Sequence, residues 1–578
     1  MSTLELQQTS NNAMDGSVSD DKEANISTSV RKKGGWITFP FIAATLAGLL
    51  IGGWGWVTNL IVYLIEEFHI KSIDATQIAN VLNGCLSMIP IVAAIIADSF
   101  LSSFTVVVIC TGFALLGTVF LTLTATLNSL RPQLCESGSS LCQNPTKVQL
   151  ATLYAALTLA TIGLGAPRFT LATMGANQLD KAKDQGVFFN WFYFVLFGSA
   201  VISSTVIVYV EDSISWRLGF GLCVAANFVA LFIFLLGIRF YRPDKPQGSP
   251  FTGLARVLVA TFHKRNVKLS SKSEDYYLGN DKQNKIMASM PTKSFRFLNR
   301  AAQKTEGDIN SDGSVAKPWR LCTIQQVEDL KTLIRIFPIW TTTIFLSTPI
   351  AIQANMVVLQ ALAMDRHLGP KFKIPAGSFL VVVLLSNCLT LALMDRFILP
   401  AWQKLTGKSL TPLQRVGIGH GFNVLSMAIS ALVEAKRLKI AHDQHLQDQN
   451  GAIVPMLGLW LFPQLVVQGI GEAFHFPSQI TLYYQDFPVS LKGTATALVS
   501  AVIGVAYYVS TALVDLIRNV TGWLPDDINH GRLDNLYWTL VVIGMVNLGY
   551  FLVCASFYKY QNVDKEVQIV DGETSQAA

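Results

Sequence analysis

The sequence predicts an all-α membrane protein of twelve spanning helices in two six-helix bundles. Three observations predict it. Only 14% of the 578 residues are charged, where soluble proteins run near ~25%. Apolar residues make up 51%, with 34 Phe and 11 Trp, more surface than water can solvate. Third, the apolar runs fall into two sets of six around one long polar, basic stretch, residues 241–331.

A bilayer core of ~30 Å needs ~20 apolar residues per helix. On that criterion the first set covers 37–65, 76–98, 104–127, 148–174, 187–210 and 216–240. The second covers 333–360, 376–398, 411–435, 452–484, 493–517 and 535–558. Two six-helix blocks joined by a long loop are the pattern of the major facilitator superfamily, whose substrate site lies between the halves. The expected organisation is a disordered cytoplasmic tail (1–35), a bundle (36–240), a cytoplasmic linker (241–331), a second bundle (332–560) and a cytoplasmic tail (561–578). Residues 1–35 are polar and acidic, and the first apolar run is too long for a signal peptide.

Lys and Arg are retained on the cytoplasmic side of membrane proteins. With both termini inside, 30 of the 44 basic residues are cytoplasmic and 12 are outside, Arg168 and Arg335 lying in or at spans. Lys436, Arg437 and Lys439 form a contrary basic patch outside. The net charge of +6 is concentrated in 239–331, with 17 basic against 9 acidic residues, so it points to an anionic lipid leaflet rather than nucleic acid. Within the linker, TGLARVLVATFHKR (252–265) reads as an interfacial amphipathic helix, and the Ser-, Lys- and Asp-rich segment after it as disordered.

Cys85, Cys110, Cys223, Cys388 and Cys554 sit in apolar runs as small buried thiols. Cys135 and Cys142 flank the polar loop CESGSSLC and are a candidate disulfide if that loop faces an oxidising space. Asn519-Val520-Thr521 is a glycosylation sequon on an outer loop, whereas Asn25-Ile26-Ser27 is cytoplasmic.

Ionisable residues inside a bilayer are costly and therefore mark function. Arg168 lies deep in the fourth run, too far from its ends to snorkel. Glu472 lies in the middle of the tenth, with His475 one turn later on the same face. An arginine offers planar, paired donors that suit a small oxyanion such as nitrate. A glutamate can gain and lose a proton, so Glu472 would be its counter-charge and protonation switch. A structural ion pair between the two, joining the halves, is the other reading. His475 is either a packed core residue or part of a proton relay with Glu472. The glycines of the first helix, Gly48, Gly52, Gly53 and Gly55, suit close packing. Phe188, Trp191 and Tyr193 read as packing residues of the fifth helix. No Walker A sequence and no Cys/His metal spacing occurs; neither an enzyme nor a cofactor is expected.

These residues lie among landmarks that resemble the plant nitrate transporter and peptide transporter family, part of the proton-dependent oligopeptide transporters. The landmarks are ADSF (97–100), GANQLD (175–180), FFNWFYF (188–194), the linker GSP, SFRFLNRAA, WRLCTIQQVEDLK, LQALAMDRHLG, LQRVGIGHG and GIGEAF. Together they run from about Gly35 to Tyr560. The departures are informative. The family's helix-one Glu-x-x-Glu-Arg/Lys motif, linked to proton coupling, falls here on Leu46, Leu49 and Leu50. Arg168 stands where the family has a lysine, Ser102 and Ser103 replace Gly and Arg of its loop signature, and a helix-seven histidine used by some nitrate-transporting members corresponds to about Ile350. Such a pattern resembles the nitrate excretion transporter subgroup, some members of which carry chloride. The resemblance implies voltage-driven efflux of nitrate or another small monovalent anion across a plant plasma membrane, with weak or no proton coupling. A proton-coupled carrier of larger organic anions, such as hormones or glucosides, is the alternative, and a transporter-like sensor the third.

Overall fold

The structure is a computed structural model that describes residues 34–132, 145–243, 250–279, 290–310, 315–370, 372–449, 451–486 and 495–558. Among the described residues, twelve helices correspond to the twelve apolar runs. The first six are α1 (Phe39–Glu66), α2 (Ser72–Ser99), α3 (Ser103–Thr126), α4 (Lys147–Ala176), α5 (Ala182–Ile202) and α6 (Trp216–Leu236). The second six are α7 (Ile324–Leu362), α8 (Val381–Leu393), α9 (Pro412–Asp443), α10 (Phe462–Asp486), α11 (Ala495–Val520) and α12 (Leu533–Phe557). Both α5 and α8 pass through a π-helical turn, Ser203–Ile207 and Met394–Ile398, into a further helical piece.

Local chemistry sets several starts. At α4, α7 and α9 a threonine, respectively Thr146, Thr323 and Thr411, caps the helix and a glutamine three residues on returns the bond. This reciprocal box satisfies two donors that have no partner within the helix. Among the described residues, eleven helices are long and apolar enough to cross a membrane. The exception, α10, carries Gln464, Gln468, Glu472, His475 and Gln479, spaced by three or four residues and so forming one polar stripe.

Helix α1 sits at the centre of the first bundle and is buried along most of its length. The glycines expected to pack do so. A Cβ added to Gly48 would meet the Ala226 carbonyl oxygen of α6 at 2.8 Å, and one at Gly52 would meet Cys223 O at 2.8 Å. Leu46, Leu49 and Leu50 are buried with 2% exposure or less. The tenth span starts later than expected. Val454–Leu457 forms a strand parallel to Met364–Asp365, and a 3-10 turn (Gly458–Leu461) leads into α10 at Phe462. Short apolar runs suit strand and helix equally, so periodicity could not separate the two.

The linker is more ordered than its composition implies. Its helix spans Pro250–His263, and Val257 and Ala260 pack with Tyr276, Leu298, Ala301 and Cys322 against Ile324, Val327 and Leu330 of α7. Lys264 and Asp308, exposed 1% and 0%, pair at 2.7 Å inside this small core. A buried pair and an apolar cluster organise the polar stretch read as disordered; residues 280–289 and 311–314 lie outside the described residues.

Candidate functional site

Arg168 follows Pro167 on α4, where the missing proline N–H removes one helical hydrogen bond. Its guanidinium lies 5.3 Å from the Trp54 ring centroid on α1, and Tyr193 on α5 stands within electrostatic reach. The cation–π contact occupies the face of the guanidinium and leaves its in-plane donors free. Arg168 Nε is fully buried with no hydrogen-bond partner among the described residues. No carboxylate among them lies within 4.0 Å of this guanidinium.

Glu472 occupies the middle of α10. Gln468 Nε2 donates to its Oε1 at 2.9 Å, Asn387 of α8 also bonds to it, and Tyr507 of α11 is close. The structure therefore contains no Arg168–Glu472 ion pair. Each charge belongs to its own half, with neutral neighbours. His475 is fully buried and turns toward α9, its ring 5.2 Å from His420 and 5.0 Å from Phe476. Glu472 thus meets α8 and α11, whereas His475 meets α9.

Of the aromatics read as packing residues, Phe188 is buried at 1% exposure against Phe39 and Phe192. Trp191 and Tyr193 are exposed, at 52% and 41%, and Tyr193 belongs to the surroundings of Arg168. Asn519 is exposed on the last turn of α11 rather than in a loop. Cys135 and Cys142 lie outside the described residues.

Sequence reasoning missed three further charged groups. Glu211, 1% exposed, receives a 3.2 Å bond from Asn59 of α1. Glu434 and Arg437, both fully buried, form a two-bond pair at 2.9 and 2.6 Å. Gln360 of α7 donates to Glu434 at 2.6 Å, and Asn529 accepts from Arg437 at 2.5 Å. Arg437, read as part of a basic patch on the outer side, has its side chain inside the protein. The signal that could have found it was the three-residue spacing of Glu434 and Arg437, which places them on one helix face.

The halves meet at the end opposite the linker. Arg518 of α11 bonds Asp74 of α2 at 2.5 Å and Asp526 at 3.0 Å, and Lys71 pairs with Asp526 at 2.7 Å. Deeper, Gln77 donates to Asp515 at 3.0 Å, Asn355 to Asn80 at 2.6 Å and Ser500 to the Ser87 carbonyl at 2.9 Å. Arg366 approaches Asp212 at 3.8 Å.

Twelve helices in two halves, with a charged residue of each half held inside the membrane region, define a polytopic membrane transporter. Known proteins agree. The family described as PTR2: POT family matches residues 104–529. Three Arabidopsis thaliana relatives are similar over nearly the whole chain. Protein NRT1/ PTR FAMILY 2.7 is 57% identical, covering 95% of this chain and 98% of its own. NRT1/ PTR FAMILY 2.6 is 54% identical (97% and 100%), and NRT1/ PTR FAMILY 2.3 is 54% identical (96% and 99%). The chain belongs to the POT family, in its NRT1/PTR group. Two solved POT structures share the fold at 16% identity. An auto inhibited peptide transporter has a TM-score of 0.64 over 90% of this chain and 97% of its own, and PepTSo one of 0.65 over 91% and 99%. The relatives and the neighbours in structure are transporters, not enzymes.

Proposed function

We propose that the protein moves nitrate, and in second place chloride, by alternating access around Arg168, as voltage-driven efflux with weak or no proton coupling. The observation that carries this reading is the guanidinium itself. It is a permanent cation within a membrane-spanning helix, without a carboxylate partner among the described residues and with one buried nitrogen unsatisfied. A small planar oxyanion would supply the missing acceptors through two parallel hydrogen bonds. Glu472, in the opposite half, would meet Arg168 in another conformation of the transport cycle, and its protonation would release the arginine for substrate. His475, turned toward His420, would serve Glu472 only as a relay to the interior of the second half.

The Lys and Arg distribution supports cytoplasmic termini and linker, and the placement in the plasma membrane rests on the resemblance to the excretion subgroup. In that orientation the Asp74–Arg518 end is the outer one, and its closure corresponds to an inward-facing state. Buried leucines at 46, 49 and 50 leave no carboxylate there to carry a coupled proton. Isotope flux through purified protein in liposomes tests the reading. Nitrate exit should be lost in folded Arg168→Ala protein, and unchanged flux would refute the site. Uptake of an organic anion driven by a proton gradient would favour the alternative carrier instead.

A further inference from the structure

Where the linker meets the base of α7, an arginine is held on a neutral hydroxyl. Arg335 of α7 donates through Nη2 to Ser294 Oγ, and no carboxylate among the described residues pairs with it. Lys331, one turn earlier on the same face, is fully buried and reaches the same loop. Its Nζ bonds Thr292 O at 2.9 Å and Thr292 Oγ1 at 3.1 Å and is already paired with Glu328 Oε1 at 2.7 Å, so Arg335 is the cation of this cluster without a carboxylate among the described residues. Thr292 Oγ1 and Ser294 Oγ are 3.0 Å apart. A guanidinium bonded to a neutral hydroxyl is a weak arrangement, because charge-assisted bonds to an anion are roughly twice as strong as neutral ones.

We propose that Ser294 is a phosphorylation site and that Arg335 binds the phosphate and fastens the linker loop to the base of α7. The γ-phosphoryl group of a nucleoside triphosphate is transferred by a protein kinase to Ser294 Oγ. The new P–O bond replaces the one to the departing nucleoside diphosphate, and the hydroxyl proton passes to the kinase's base. The added charge, ~−1.5 to −2 at neutral pH, supplies the counter-ion Arg335 lacks.

The two hydroxyls are not equivalent. Thr292 already donates to Glu328 Oε2 at 2.8 Å and its N–H to Oε1 at 2.9 Å, so a phosphate there would face a carboxylate. Ser294 is half-buried between exposed Lys293 and Phe295. Phe295 holds a left-handed φ of 44°, a conformation costly for an aromatic residue. That turn is one the chain can open to a kinase and that a phosphate–arginine contact would hold shut.

The proposal goes beyond the transport reading and shares with it only the cytoplasmic placement of the linker. Its test uses the full-length protein isolated from eukaryotic membranes under phosphatase inhibition. Peptide mapping by mass spectrometry should find phosphate on Ser294 and not on Thr292. Hydrogen exchange across residues 290–300 should be several-fold slower than after phosphatase treatment, a comparison that needs no variant. Ser294→Glu should reproduce part of the slowing relative to Ser294→Ala, and Arg335→Gln should remove it, whereas Thr292→Glu should speed exchange. Unmodified Ser294, or slowing that persists in Arg335→Gln, would overturn the proposal. Nitrate flux and its dependence on Arg168 would be untouched by either failure.

Discussion

At the scale of single residues, Arg168 and Glu472 differ in what their neighbours allow. Arg168 has an aromatic face beneath it and free in-plane donors, so the shape of its charge matters as well as the sign. Arg168→Lys keeps a point charge and loses the planar fork. We expect slower nitrate flux and a lower nitrate-to-chloride ratio, measured by anion competition in liposomes. Glu472 accepts from the neutral amides of Gln468 and Asn387. Glu472→Gln removes the titrating group at nearly constant shape. Flux should then persist while its dependence on pH flattens. A pH profile unchanged from the native protein would assign the titration to another group.

Between elements, stability rests on small residues and buried pairs rather than on apolar contrast with the solvent, because lipid is as apolar as the helix surface. The Glu434–Arg437 pair ties α9 to α7 through Gln360, and Tyr537 of α12 extends the network with a 3.0 Å bond to Gln360. Removing one member leaves a buried charge alone, which costs ~3–5 kcal/mol. Arg437→Leu should therefore lower the unfolding temperature sharply. The double change Glu434→Gln with Arg437→Leu should recover much of the loss, since neutral partners carry no unpaired charge. Equal destabilisation of single and double variants in detergent melts would show that packing, not charge, dominates. On α1, Gly52→Val would drive a methyl group into Asn227 and Cys223, an overpacking that costs ~1–3 kcal/mol.

Across the whole molecule, transport requires the two halves to part at the end where they now touch. Arg518 joins α2 to the α11–α12 connection through Asp74 and Asp526. Arg518→Ala should raise the population open at that end, seen as faster alkylation of a cysteine placed at Asn80 and, by the same population shift, less access from the linker side. Coupling is a property of the same scale. A monovalent anion leaving a negatively polarised cell gains ~2.3 kcal/mol per 100 mV, enough to drive export without protons. The reversal potential in voltage-clamped cells should follow the nitrate gradient and stay fixed as the pH gradient changes. A shift approaching that of a two-proton symporter would refute uncoupled efflux.

The sequence by itself determined how many helices there are, where most begin and that Arg168 and Glu472 lie among them. Each of these is a local property. A run of some twenty apolar residues has few fates, a Thr-x-x-Gln box marks a start wherever it stands, and Arg168 is conspicuous because its neighbours are apolar. What only the tertiary structure decided is partnership. That Arg168 faces Trp54 and lacks Glu472, that Glu434 and Arg437 neutralise each other, and that Lys264 and Asp308 close a small core inside a polar linker all depend on which surfaces meet. Val454–Leu457 shows the same division: its composition suits a spanning helix, and only the nearby Met364–Asp365 backbone, offering hydrogen bonds at the right spacing, makes it a strand. Apolar periodicity is encoded residue by residue, whereas the energy of a buried charge or an unpaired backbone edge is set by atoms distant in the chain.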